Sequence, residues 1–291
     1  MVAFLLLPVP FALLAGPLAG LLLLSRPGTA RARIWLAAAL LATATSLAVG
    51  PRTAAQDLVS AGALAFTGAM VGLAAFVRQS ALARAGLAAT IVGLLLVIGA
   101  AAVGLEWSAV YLGLRTQFLE AVNVVQALAP LPATQLRDLQ TGAEWMARIY
   151  PGIAILGALA AGVLATAVVT RVANHPAVPG PGRFQAFRFN DHLIWGAVAT
   201  LAVALLPLPT PGDMAVANVL VVWAGLYIAR GAAVFLALAG RWPPLLRVAL
   251  FLGAVVLLPY ALGAALVMGL ADTWFDFRRM LAPRSPGGPI P

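Results

Sequence analysis

The chain has 291 residues, of which 63% are apolar and 9% are charged, and its mean hydropathy is +1.00. Soluble domains average about half apolar and a quarter charged residues, so this composition excludes an ordinary soluble domain and predicts an integral membrane protein. The formal net charge is +9, but the arginines are scattered between apolar runs, which favours loops anchored at a lipid bilayer and predicts no nucleic-acid partner.

Eight apolar runs are candidates for helices that cross a bilayer, which takes roughly 20 residues. They cover residues 3–24, 34–50, 57–77, 82–105, 151–171, 192–208, 214–239 and 245–271. The first run lacks the positive start of a signal peptide and is interpreted as a span. The predicted fold class is therefore all-α, a polytopic transmembrane helical bundle of about eight spans that forms a single membrane domain over 1–291.

Arginines concentrate in alternate loops, and this alternation predicts the orientation of the spans. They lie after the first, third, fifth and seventh spans, in segments 25–33, 78–84, 171–191 and 240–247. Because arginine-rich loops stay in the cytoplasm, the N-terminus is predicted to lie outside. Three arginines after residue 277 do not follow the alternation, so the side of the C-terminal tail is left open.

Two of the spans carry glycines four residues apart. Gly16 and Gly20 form one pair, with Ala12 one turn earlier, and Gly68 and Gly72 form the other. Small residues at this spacing let two helices approach closely. With 28 glycines in the chain, chance matches are expected, so packing within the chain is favoured over docking of a partner.

Segment 106–150, between the fourth and fifth spans, is predicted to form an amphipathic helical hairpin outside the membrane. Apolar residues recur every three or four positions from Trp107 to Leu128, and two prolines then separate a second amphipathic helix. Glu144 and Arg148 stand one turn apart and can support that helix. A cap over the bundle is the favoured interpretation, and a lid or docking surface is the alternative.

Segment 172–191 is rich in proline and glycine and is predicted to be a cytoplasmic loop. It ends with aromatic residues that alternate with arginines, from Arg183 to Phe189. Both residue types find partners among lipid headgroups. An interfacial anchor is therefore favoured, and a segment that docks a partner is the alternative.

Arg230 lies deep within the seventh apolar run, where an arginine costs at least a few kcal/mol unless it snorkels or is paired. Asn218 precedes it by about three turns, and these two are the tentative ligand-binding residues. Arg230 either snorkels toward the end of the span near Arg241, or faces the bundle and meets a carbonyl, a carboxylate or an anionic ligand. The neighbouring Gly225 and Gly231 permit close helix approach and slightly favour the inward position.

The tail, residues 272–291, is predicted to lie at the membrane interface. Trp274 fits an aromatic belt, while Asp272, Asp276 and Arg278 are expected in water or in local pairs. The two aspartates stand one turn apart, but a single acidic pair does not define a metal site, and none is predicted.

Catalytic motifs are missing from the sequence, which contains neither HExxH nor GxSxG nor a Walker loop. Cysteine is absent, and the only histidines are His175, in a loop, and His192, at the edge of a span. The acidic residues lie in loops or at span ends, where they do not form an intramembrane pair. The sequence therefore predicts no enzyme, no metal and no cofactor.

Three segments resemble the YybS-like bacterial membrane proteins, a multi-spanning family of undefined function. They are Leu-Pro-Val-Pro-Phe at 7–11, the stretch 218–233 with Gly-Leu-Tyr and Arg-Gly, and the most specific, Asp-Thr-Trp-Phe-Asp-Phe-Arg at 272–278. The likeness covers most of the chain, including the long segment after the fourth span. It implies a multi-pass protein of the bacterial cytoplasmic (inner) membrane.

That family is also distantly similar to the substrate-binding subunits of energy-coupling-factor importers. Those subunits are helical bundles that bind a vitamin or a metal and dock on a separate energising module. The similarity implies that Ala12, Gly16 and Gly20 serve as a docking stripe. It is a likeness of fold, which does not fix function.

Two functions fit these observations. The first is a solute-binding or transport-associated membrane subunit that lacks its own ATPase and encloses a polar-lined cavity. The alternative is a non-catalytic scaffold or accessory subunit of a larger membrane complex, packed solid and covered by its neighbours. Both predict other membrane protein subunits as partners beside the lipid bilayer.

Overall fold

A computed structural model describes residues 9–48, 54–77, 79–102, 104, 106–173, 176–240 and 242–277. Within these residues the regular structure is helical and contains no strand, which confirms the all-α class. The ten α-helices are α1 (Val9–Leu24), α2 (Ala30–Ala48), α3 (Ala54–Phe76), α4 (Ala81–Ala102), α5 (Trp107–Leu128), α6 (Ala133–Val172), α7 (Ile194–Ala204), α8 (Thr210–Ala239), α9 (Pro244–Val256) and α10 (Leu258–Phe275).

Four of the described helices are long and apolar enough to cross a membrane, namely α4, α6, α8 and α10. Shorter apolar helices cover Ala12–Leu24, Ser60–Phe76, Asp191–Ala204 and Pro244–Val256. These helices support a multi-pass membrane protein, but the predicted number of eight spans is not confirmed. The helix α2, which overlaps the second predicted span, belongs to neither group.

Residues 1–181 form one compact unit in which α1 is central, because it packs against α2, α3 and α6. The sequence of α1 is apolar on all sides, and a helix of that kind is stable when it is covered all round. Leu21 and Leu22 are accordingly shielded completely from solvent. The same unit contains α4, which packs between α3 and α6.

The close approach of α1 to α3 depends on the first pair of glycines. A Cβ atom at Gly16 would overlap Thr67 Oγ1, and one at Gly20 would overlap Val71 Cγ2. Ala12, one turn earlier on α1, is also buried. This face of α1 packs within the chain, so the docking role implied by the importer subunits finds no open surface there.

The second pair of glycines lies on a different face of α3. A Cβ atom at Gly68 or at Gly72 would meet no described atom within 4 Å. Phe66 and Met70, on the opposite face, are buried in the unit. The Gly68–Gly72 face is therefore open, whereas the other face of α3 forms core.

The helices α5 and α6 pair as a hairpin around a small apolar core that contains Leu114, Phe118 and Ala147. Arg115 Nε donates to Glu144 Oε1 at 3.1 Å, so Glu144 pairs across the hairpin in addition to its predicted support within α6. The helix α6 does not end at residue 150 but continues through Pro151 as one helix of 40 residues. That the hairpin lies outside the membrane stays a prediction.

Residues 182–291 form the second compact unit, which the structure describes as far as residue 277. Here α8 packs against α7 and α10, and α9 contacts α10. The predicted last span is divided at Leu257, because Pro259, in the first turn of α10, has no backbone N–H to donate to the last turn of α9. The single membrane domain predicted for 1–291 stays a prediction.

Candidate functional site

The helices α8 and α10 meet backbone to backbone at two glycines. A Cβ atom at Gly231 would overlap Ala265 O and lie 2.8 Å from Gly269 N, and one at Gly269 would overlap Tyr227 O. Any larger residue would push the helices apart. This crossing brings the residue next to Gly231 on α8 within reach of the last turn of α10.

That residue is Arg230, whose side chain is 0% exposed. Its Nε donates to Asp272 Oδ2 at 2.9 Å, and its Nη2 donates to the carbonyl oxygen of Asp272 at 3.1 Å. The Asp272 side chain is also 0% exposed. Two opposite charges are thus removed from solvent together, which stabilises each against the cost of burial. Of the two predicted positions for Arg230, the structure has the inward one.

A second carboxylate approaches Arg230 from the short helical turn Asp191–Leu193 that precedes α7. Arg230 Nη1 donates to Asp191 Oδ1 at 2.7 Å, and the Asp191 side chain is 43% exposed. Phe189 lies beneath the guanidinium, with 5.3 Å between Arg230 Cζ and the ring centroid, and contacts Tyr227 edge to face. All three guanidinium nitrogens of Arg230 therefore have carboxylate or carbonyl partners.

A second arginine extends these ion pairs toward solvent. Arg188 Nη2 donates to Asp191 Oδ2 at 3.2 Å, and Arg188 Nη1 donates to Asp276 Oδ2 at 3.1 Å. Asp276 ends α10 in the left-handed conformation, with φ of 41°. We call Arg188, Asp191, Arg230, Asp272 and Asp276 the arginine–aspartate cluster. Its two arginines and three aspartates give it a formal charge of −1.

Electrostatics keep the exposed end of the cluster ionised. Partial burial acts to raise the pKa of Asp191, but the hydrogen bond from Arg230 and the charges of Arg230 and Arg188 outweigh it, so this pKa lies below its ordinary value. Burial acts to lower the pKa of Arg188, and the hydrogen bond and charge of Asp276 raise it overall. At neutral pH, Asp191 therefore carries a negative charge and Arg188 a positive one.

The two tentative ligand-binding residues are not brought together. Asn218 is buried, and its amide donates to the carbonyl oxygen of Met214 at 2.8 Å in its own helix. It precedes Arg230 by three turns, which places it about 18 Å away along α8. The residues that join Arg230 are aspartates from other segments.

Among the tail residues, Asp272 departs from the prediction. It is buried and not solvated, because α10 continues one turn past the predicted end of the span and turns Asp272 toward α8. Trp274 is exposed, as an aromatic belt requires, and Asp276 pairs with an arginine. Because each aspartate has its own arginine, the two do not share a cation site. Arg278 lies outside the described residues.

The sequence identified Arg230 but not its partners. Asp191 and Asp272 are separated from it by 39 and 42 residues, so no local pattern links them. One available indication was charge compensation, since a buried arginine needs an acid and both aspartates stand at span ends. Phe189 was assigned to an interfacial anchor, and its place under Arg230 had no counterpart in the sequence pattern.

One family model, described as "Predicted membrane protein (DUF2232)", matches residues 1–273. The matched region includes Asp191, Arg230 and Asp272. No curated protein and no solved structure matches the chain.

Proposed function

We propose that this chain, which belongs to the DUF2232 family of predicted membrane proteins, the YybS-like group that its sequence resembles, is a solute-binding or transport-associated membrane subunit. It lacks an ATPase of its own, catalyses no reaction and resides in the bacterial cytoplasmic membrane. The proposed solute is an anion with carboxylate or phosphate oxygens. It binds Arg230 in place of Asp191.

The hydrogen bond from Arg230 Nη1 to Asp191 Oδ1 is the observation that supports this proposal. Asp272 is enclosed and holds Arg230 from the side of α10, whereas Asp191 is half-exposed and belongs to a short turn. An anion from solvent therefore competes with Asp191 and not with Asp272. Arg188 also binds Asp191, so the displaced carboxylate keeps a cationic partner. The exchange leaves no buried charge without a partner, which would be costly.

The net charge of the cluster adds a condition to this exchange of Asp191 for an anion. The cluster carries −1 before an anion binds, so a monovalent anion would bring it to −2. Like charges at this separation repel, and a proton that enters with the anion relieves the repulsion. We therefore expect the anion to bind more tightly as the pH is lowered toward the carboxyl range.

Thermal unfolding of the full chain in a mild detergent tests the proposal, with citrate and inorganic phosphate as probe anions. At least one of them should raise the Tm of the wild type. Asp191→Asn should increase that shift by removing the competing carboxylate, and Arg230→Lys should decrease it, because lysine lacks the planar fork. Arg247→Lys, at an exposed position of α9, is the matched control. Equal shifts in all four proteins would contradict the proposal.

The alternative function, a non-catalytic scaffold or accessory subunit of a larger membrane complex, is favoured by the open Gly68–Gly72 face of α3. A helix of another membrane subunit can approach such a face closely. Gly68→Leu should then remove proteins that co-purify in mild detergent. Gly93→Leu, at another open position on α4, should retain them. Loss of a co-purifying subunit without any anion effect would favour the scaffold.

A further inference from the structure

A second buried arginine lies in the other unit, in the first turn of α4. Arg84 is 1% exposed, and its Nη2 donates to the carbonyl oxygen of Gln79 at 2.8 Å. Its Nε and Nη1 are buried and have no hydrogen-bond partner among the described residues. Sequence analysis counted Arg84 only as one of the loop arginines that set orientation.

No carboxylate compensates Arg84 in the described part of the chain. The acidic residues of this unit are Asp57, Glu106, Glu120, Asp138 and Glu144, and none of them forms an ion pair with it. Glu144 pairs with Arg115 in the hairpin. Arg84 thus differs from Arg230, whose nitrogens all have partners, and a buried guanidinium without a counter-charge is costly.

The N-terminus of α4 adds a second source of positive potential at the same place. Arg84 reaches back to Gln79, two residues before the helix begins, so its guanidinium lies at the N-terminal end. Ser80 accepts hydrogen bonds there from the backbone N–H groups of Ala83 and Arg84. The N–H groups of Ala81 and Leu82 have no acceptor within the helix itself. Helix ends of this kind attract anions.

We propose that Arg84 and the first turn of α4 bind a phosphate oxyanion, supplied by a lipid headgroup or by free phosphate. Phosphate oxygens can accept charge-assisted hydrogen bonds from both Nε and Nη1 of Arg84. The spacing of two phosphate oxygens matches the planar guanidinium, which a monatomic anion does not. The helix α4 is a candidate span, so its N-terminal end meets the headgroup layer of the membrane. This site belongs to the first unit and does not depend on the arginine–aspartate cluster.

The chain contains a closely matched control. Arg33 is the fourth residue of α2, as Arg84 is the fourth residue of α4, and Thr29 caps α2 as Ser80 caps α4. Arg33 is exposed, however, whereas Arg84 is buried. Arg33→Gln and Arg84→Gln therefore remove the same charge from the same helical position and differ in burial.

The experiment uses the delipidated full chain in detergent, with phosphatidylglycerol and inorganic phosphate as separate probes. Binding is measured as adducts in native mass spectra and as shifts in Tm. We expect Arg84→Gln to bind one phosphate group at least about tenfold more weakly than the wild type does, and Arg33→Gln to bind as the wild type does. A phosphatidylglycerol adduct that excess phosphate does not displace identifies a lipid, and a response to phosphate alone identifies the free ion.

Two results would overturn the proposal. One is equal binding of both probes by the wild type and Arg84→Gln. The other is a wild type that binds neither probe, which needs no variant and so does not depend on whether Arg84→Gln folds. Arg84→Lys, which keeps the charge but offers a single ammonium group, should bind with intermediate affinity if Arg84→Gln proves unstable. Because inorganic phosphate also probes the arginine–aspartate cluster, Arg84→Gln and Arg33→Gln are compared again in an Arg230→Lys background, where the difference between them should persist.

Discussion

At the scale of single residues, Arg230 and Asp272 depend on each other. Arg230→Leu breaks the buried ion pair with Asp272 and should destabilise the protein by about 3–5 kcal/mol. Replacing both residues by leucine should recover most of this loss, because neither charge of this pair is then buried. Thermal unfolding in detergent measures both effects, and Arg247→Leu should stay within about 0.5 kcal/mol of the wild type. An Arg230→Leu protein as stable as the wild type would contradict the ion pair between Arg230 and Asp272.

Asp191 predicts a pH dependence whose sign follows from its pKa. Its pKa is lower in the folded protein than in the unfolded chain, so its ion pairs contribute fully to stability above the ordinary carboxyl pKa of about 3.9. The contribution declines as the pH falls through that value toward the lower folded pKa. The Tm advantage of the wild type over Asp191→Asn should therefore be constant near neutral pH and shrink below about pH 4. An advantage that grows in acid would refute the assignment.

The sequence predicted single residues only where the cost of burial is visible in one run of residues. Arg230 is such a case, because a charge within a long apolar run is expensive wherever its partners lie. Asp272 and Arg84 stand at the ends of their runs, where sequence cannot distinguish a solvated residue from a buried one. Their burial is decided by the neighbouring helix, which no local pattern encodes.

At the scale of helices, the crossing of α8 and α10 requires glycine. Gly231→Ala places a Cβ atom against the backbone of α10 and should cost about 1–3 kcal/mol or more, because helix backbones cannot yield as side chains do. Gly263→Ala, on α10 with no atom within 4 Å, should instead stabilise the helix by about 0.5–1 kcal/mol. Thermal unfolding of the two variants distinguishes them. Equal changes in Tm for the two variants would show that the backbones of α8 and α10 are not in close contact at Gly231.

Helices were easier to predict than their ends. Apolar runs identified α4 and α8 closely, because a continuous apolar stretch leaves few alternatives to a helix in lipid. The effect of proline on a helix differed between positions, however. Pro151 lies inside α6, where one missing hydrogen bond is tolerated, whereas Pro259 stands in the first turn of α10 and accompanies a break. Packing beyond the local sequence decides between these outcomes.

At the scale of the whole molecule, the arginine alternation predicts sidedness. The natural chain contains no cysteine, so single cysteines can be introduced at the exposed positions Gly28, Pro130 and Gly180. An impermeant thiol reagent should reach Pro130→Cys from outside intact cells, and Gly28→Cys and Gly180→Cys only after the membrane is opened. The unsubstituted chain is the unlabelled control. Labelling of positions 28 and 130 from the same side would refute the predicted orientation.

The continuity of α6 has a mechanical consequence. Forty residues in one helix extend about 60 Å, twice the roughly 30 Å of hydrocarbon in a bilayer. The first half of this rod carries the contacts with α5, and the second half packs against α1 and α4. The two halves of α6 are therefore joined without a loop, and Pro151, near the midpoint, is the position where the helix bends most easily. We expect a load on the hairpin to bend α6 at Pro151 before it moves the helices packed around α1.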